Sequence, residues 1–174
     1  MALPIVVYGD PVLRRKAALI EEITPEIEQL ASDMIDTMMK ANNGVGLAAP
    51  QVGRSLRLFV LRDEILDDSG DYVFSSPEVV INPVFSNPSK KMETALEGCL
   101  SLPKIEVEVA RPSNIHVRYQ TLKGEFVEED LKDFRARVFM HENDHLNGTL
   151  IIDRISSNER NRLDPFLRKI KIKR

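Results

Sequence analysis

The stretch Met140-His141-Glu142-Asn143-Asp144-His145-Leu146-Asn147-Gly148 constrains the fold more than any other. Two histidines four residues apart return to nearly the same face of an α-helix, about 6 Å along its axis. They can converge on one ion, but an open catalytic site of this kind takes a third protein ligand from elsewhere. Glu142 sits about 100° around the helix from His141, beside the ion rather than on it. That is where a general base for an activated water belongs. Phe134 and Val138 precede His141 by seven and three residues, so the histidines continue an apolar stripe. The ligand face is therefore expected in a buried, largely apolar cleft, where the pKa of Glu142 rises. A chance match on a surface helix would not put both histidines on the apolar face.

The rest of the chain has to surround that helix. Its 174 residues suit one domain, residues 1–174, with 156–174 read as a polar, finally basic tail or helix. Apolar content of 43% and charged content of 29% are those of a soluble globular protein. A net charge of −3 gives no case for nucleic-acid binding. The single cysteine excludes an intrachain disulfide and fits a reducing compartment. The opening "MALPIVVYGDPVLRRK" lacks the basic start of a signal peptide, and no run approaches the roughly 18 apolar residues of a membrane span. The expected location is the cytoplasm, or the equivalent stroma or matrix of an organelle, with no membrane anchor.

Along the chain, Gly9-Asp10-Pro11 reads as a turn with Leu13 inward. Thr24-Pro25 opens a helix, a hydroxyl at the N-cap and proline at the first position, and Ile27, Leu30, Met34, Ile35 and Met38 recur at helical spacing. Asn42-Asn43-Gly44 is expected to stop it. Residues 56–61 read as a strand and 63–77 as an acidic surface excursion. Residues 79–85 form another strand, with Pro83 marking an edge or a bulge. Residues 105–109, 115–119 and those from 126 on alternate apolar and polar, with Lys123-Gly124 as a turn. A helix runs from about 133 to 147, closed by Gly148. In the tail, Leu163, Phe166, Leu167 and Ile170 can share one side of a helix. The class is α+β: short antiparallel and mixed strands packed around a buried metal-binding helix.

Four positions compete for the third ligand. Metzincin-type sequences place a histidine six residues after the second, but that position is Ile151. Glu159 would serve as in thermolysin-type enzymes, though its surroundings are highly polar. His116 alternates with Ile115, Val117 and Tyr119 and points outward from its strand. Cys99 is by default a small buried hydrophobe. Its setting, Glu97-Gly98-Cys99-Leu100-Ser101-Leu102-Pro103, puts glycine before it and proline soon after, and a cysteine with two histidines and an open position is a sound catalytic set.

Three stretches together resemble the signature motifs of the peptide deformylase family: "GVGLAAPQVG" at 44–53, "EGCLSLP" at 97–103 and "HENDH" at 141–145. The similarity runs from "GDPVLRRKA" to about Arg154. It implies Cys99, His141 and His145 as ligands of one divalent metal, usually Fe(II), with Zn(II), Ni(II) or Co(II) able to take the site. It implies a metal-dependent hydrolase that removes the N-formyl group from the N-terminal methionine of newly synthesised polypeptides and releases formate.

In that reading Glu142 moves protons, while the Gln51 side-chain amide and the Leu100 backbone N–H stabilise the oxyanion, one such donor being worth roughly 3–4 kcal/mol of barrier. Val45 and Gly46 would hold the peptide backbone by strand addition, with Val45, Phe134 and Val138 forming an apolar pocket. The long stem of Arg137 is expected at the pocket rim. Glu97, Asp144 and Arg111 are expected to support the ligands, with Asp144 paired to Arg111. Partners are N-formyl-methionyl nascent peptides and, transiently, the ribosome, with neither a membrane nor sequence-specific nucleic-acid binding. The competing reading is a zinc endopeptidase of the His-Glu-x-x-His type using Glu159. A closed structural metal module would leave Glu142 idle and has no well-placed fourth cysteine or histidine.

Overall fold

In the computed structural model, which describes residues 1–41 and 44–172, Thr24 starts the first long helix. Its Oγ1 accepts the Ile27 N–H at 3.4 Å, Pro25 takes the first helical position, and helix α1 runs Pro25–Lys40. Ile27, Leu30, Met34 and Met38 are buried along one face, while Ile35 is half-buried at its margin. The expected stop at Asn42-Asn43 lies outside the described residues.

Five strands form the main sheet in the order β1 (Gly46–Ala48), β2 (Leu58–Leu61), β5 (Glu78–Ser86), β8 (Asn114–Gln120) and β9 (Phe126–Lys132). Both faces of its centre are covered. On β2, Leu58 and Val60 pack with α1, while Phe59 and Leu61 pack on the other side against helix α2 (Asp133–Leu146). All four β2 residues are therefore buried, and the strand reads as a continuous apolar run. Phe59 meets Phe139 of α2 edge to face, with ring centroids 5.5 Å apart.

Pro83 marks a bulge and not an edge, because β5 lies between β2 and β8. The register shifts between Ile81 and Val84, and Asn82 takes a φ of 51°. Its side chain closes the defect by accepting from Ile20 N–H at 2.9 Å and donating to Ile20 O at 2.8 Å.

A second, two-stranded sheet pairs β6 (Met92–Cys99) with β7 (Leu102–Pro112). Ile105, Val107 and Val109 face inward on Leu150, Ile151, Ile152 and Leu167, the last from helix α3 (Ser157–Ile172). Phe166, expected on the same side as Leu167, is 56% exposed instead. Leu167 is the position that faces Ile105, Val107 and Val109, and Phe166, about 100° around the helix from it, falls outside that narrow contact. The 63–77 excursion contains a small hairpin, β3 (Glu64–Leu66) with β4 (Tyr72–Phe74). Every ladder among the described residues is antiparallel, and parallel pairing is confined to one isolated bridge, Ala18–Leu56. No helix among the described residues is long and apolar enough to cross a membrane.

After α2, Gly148 turns the chain with φ +74°, and a Cβ there would meet Arg14 O at 2.6 Å. Glycine thus lets the end of the histidine-bearing helix close against the N-terminal segment.

Candidate metal centre

Helix α2 carries His141 and His145 one turn apart, their ring centroids 5.2 Å from each other. Cys99 is the last residue of β6, at the irregular Cys99–Leu102 pairing where the chain reverses into β7. Strand and helix bring the three side chains together: one donor atom from each of Cys99, His141 and His145 lies within 4.8 Å of the others. No further residue among those described joins this group. Glu159 lies on α3 outside it. His116 stays on the sheet surface, Nδ1 2.8 Å from Asp130 and Nε2 3.2 Å from Glu128.

The donor set fits a divalent ion. Cys99 Sγ is 3.4 Å from His145 Nε2. Two donors at tetrahedral zinc-type bond lengths stand about 3.5 Å apart, so this spacing is that of co-ligands. His145 is buried and its Nδ1 has no hydrogen-bond partner. Burial, then the nearby charges of His141 and Arg111, hold its pKa well below the ordinary imidazole value, so it is neutral and has a lone pair to give.

His141 is oriented by Glu97. Glu97 Oε1 lies 2.8 Å from His141 Nδ1. Burial alone would raise the Glu97 pKa, but hydrogen bonds from Arg111 and His141 outweigh it and hold the carboxyl far below its ordinary value. The ionised carboxylate only accepts, so Nδ1 carries the proton and Nε2 is left for a metal.

Arg111 is 2% exposed and joins both acids. It donates to Glu97 through Nε and Nη2 at 2.7 and 2.9 Å, and to Asp144 through Nη1 at 2.9 Å. Arg154 adds a fork to Asp144, at 2.6 and 2.7 Å. Sequence reasoning missed Arg154; its only signal was a lone cation after an apolar Leu-Ile-Ile run.

Glu142 is 4% exposed. Burial pushes its pKa up to about 7 against the opposing charge of His141. Its carboxylate lies against Gly46 of β1, where a Cβ would come within 2.7 Å of Oε1. Gln51 sits in the 3₁₀ turn Ala49–Val52. Ala48 N–H donates to its Oε1 at 3.0 Å, which turns its amide nitrogen toward Ser101 Oγ, at 3.2 Å, and Cys99 Sγ, at 3.6 Å. Ser101 is fully buried and was visible in the sequence only as a member of "EGCLSLP".

A cavity of about 930 Å³ opens onto these groups and is lined by Val45, Gly46, Leu100, Phe134, Val138 and Glu142, among others. Phe134 is 53% exposed and stands at its mouth, while Val138 is buried deeper. Arg137, expected at the rim, is buried. Its Nη1 donates to Glu97 Oε2 at 2.6 Å and Val109 O at 2.8 Å, and its Nη2 to Glu93 O at 2.7 Å. Those acceptors on β6 and β7 draw the guanidinium inward.

A family model described as polypeptide deformylase matches residues 2–161. The chain belongs to that family. Among deformylase relatives, the peptide deformylase of Thermotoga neapolitana is 49% identical over 154 residues, 88% of this chain and 87% of that one. The crystal structure of the peptide deformylase from Thermus thermophilus aligns with a TM-score of 0.87 at 40% identity, covering 100% of both chains. A Met-Ala-Ser-bound class I type b peptide deformylase from Acinetobacter baumannii gives a TM-score of 0.81 at 36% identity over 89% of this chain and 99% of that one. The donors of Cys99, His141 and His145 thus converge in a chain that has the deformylase fold.

Proposed function

We propose that the chain hydrolyses the N-formyl group from the initiator methionine of newly made polypeptides. The formamide and one water become a free α-amine and formate. The observation that carries this reading is the convergence of the Cys99, His141 and His145 donors beside a buried, partnerless Glu142 Oε2, at a cavity that Cys99, His141 and Glu142 line. Membership of the deformylase family and the Met-Ala-Ser complex of a relative support it.

Cys99, His141 and His145 would hold one divalent ion, Fe(II) in the cell, with Zn(II), Ni(II) or Co(II) able to replace it; a thiolate and two imidazoles suit all four. Bound there, the ion would supply Lewis acidity for attack of water on the formyl carbon. Glu142, with a pKa near neutrality, takes the proton from that water and delivers it to the leaving nitrogen. The Gln51 amide, fixed by Ala48 and Ser101, donates to the developing oxyanion together with the Leu100 backbone N–H.

Among the described residues β1 pairs only with β2, so its other edge, at Gly46 and the adjacent Val45, can accept the substrate backbone as an added strand. The methionine side chain fits against Val45, Phe134 and Val138, which line the same cavity. Glu97, Arg111 and Asp144 hold the ligands in place. The substrates emerge at the ribosome, and the exposed Arg162, Arg168, Lys169 and Lys171 of α3 suit transient contact with its phosphates. Such a chain works in the cytoplasm or its organellar equivalent. The test is formate release from an N-formyl-Met tripeptide under anaerobic conditions. Formate with the peptide backbone left whole supports the proposal; cleavage of internal peptide bonds without formate overturns it.

A further inference from the structure

We infer that Arg137 is a positioning residue for the metal centre, locking Glu97 and the His141 ring it orients, and joining the helix that bears the histidines to the strand that bears Cys99. The inference rests on the reading of Cys99, His141 and His145 as metal ligands. Arg137 and His141 lie at i and i+4 on α2 and grip opposite oxygens of one carboxylate: Arg137 donates to Glu97 Oε2 at 2.6 Å, and His141 Nδ1 to Oε1 at 2.8 Å.

Neutralisation of Glu97 does not require Arg137. Arg111 already supplies a fork to both oxygens, at 2.7 and 2.9 Å. Packing does not require it either, since an apolar side chain of similar volume would be buried at lower cost. What Arg137 adds is direction. A carboxylate held only by the Arg111 fork can pivot, and the His141 ring pivots with it. With Arg137 present, four donors fill the carboxylate and its plane is set.

The remaining donors of Arg137 bind backbone oxygens on both strands of the second sheet. Glu93 O on β6 is 2.7 Å away and Val109 O on β7 is 2.8 Å away. Strand β6 ends at Cys99. A single buried guanidinium thereby sets the separation of the two elements that divide the ligand set between them.

The test is Zn(II) affinity by competition with a chromophoric chelator, comparing wild type with Arg137→Ala. Affinity is expected to fall roughly 10- to 100-fold, as for loss of other groups that orient metal ligands. Because Arg137 lines the cavity, added methylguanidinium can reach the vacated position and should restore part of the loss. Affinity within about twofold of wild type overturns the inference, as does a loss that methylguanidinium leaves untouched. If circular dichroism finds Arg137→Ala unfolded, Arg137→Lys is measured instead. Lysine keeps the cation but cannot span three acceptors. A clear loss in that variant supports the inference, and unchanged affinity overturns it. Wild type without Zn(II) affinity would overturn the metal reading, and this inference with it; equal affinities overturn this inference alone.

Discussion

Gly46 of β1 lies directly against the Glu142 carboxylate, so close that a methyl group at residue 46 would stand 2.7 Å from Oε1. The neighbour is the end of a flexible side chain, so the carboxylate would shift and the backbone would not. Gly46→Ala should therefore fold and retain metal. Its kcat for formate release should fall about 10- to 100-fold, the cost of misplacing a catalytic group by an ångström or so. Unchanged kcat would show that the proton acceptor does not need this contact.

Burial raises the Glu142 pKa to about 7. A base works only when ionised, and the carboxyl is protonated below its pKa. Activity should therefore drop as pH falls. A divalent cation beside Glu142 can only lower the value, so the acid limb of kcat/KM belongs at or below pH of about 7. A limb well above pH 8 would assign the titration to another group.

Arg111 bridges Glu97 and Asp144 inside the protein. Its removal leaves buried carboxylates short of a partner, a change that costs about 3–5 kcal/mol. Arg111→Met should shift the urea unfolding midpoint accordingly. A midpoint like that of wild type would mean Arg137 and Arg154 carry the two acids by themselves.

The Glu97 pKa lies far below its ordinary 4.5 in the folded protein. A depressed carboxylate contributes stability that is fully present above the unfolded-state value and is lost as pH falls through the folded-state one. Glu97→Gln should thus be destabilised at pH 7, and the gap to wild type should narrow once pH drops below about 4. Stability curves measured from pH 7 to pH 3 decide the point; a gap constant across that range would contradict the coupling.

Helix α2 was legible because its information is local: the apolar stripe and the two histidines repeat at helical spacing within a few turns. Strand β6 was not, because Met92, Thr94, Ala95 and Leu96 give no apolar-in, polar-out alternation, with Met92, Ala95 and Leu96 exposed and Thr94 polar. The hairpin of β3 and β4 escaped for the same reason, its strands being three residues long and open to solvent. Cys99 stood among the competing third ligands on its setting and donor chemistry, and the family motif singled it out, since its approach to His145 spans 46 residues of sequence. The pairing of Asp144 with Arg111 could be anticipated, but the inward course of Arg137 could not. Its partners Glu97, Val109 and Glu93 lie between 28 and 44 residues away and meet it only in the folded chain.

The account turns on Cys99 as a ligand and Glu142 as a base. The most direct measurement is bound metal and formate release from an N-formyl-Met tripeptide, made side by side on wild type, Cys99→Ala and Glu142→Ala. The account predicts metal and formate from wild type, loss of both in Cys99→Ala, and metal without formate in Glu142→Ala. Cys99→Ala that keeps its metal and its activity would contradict it.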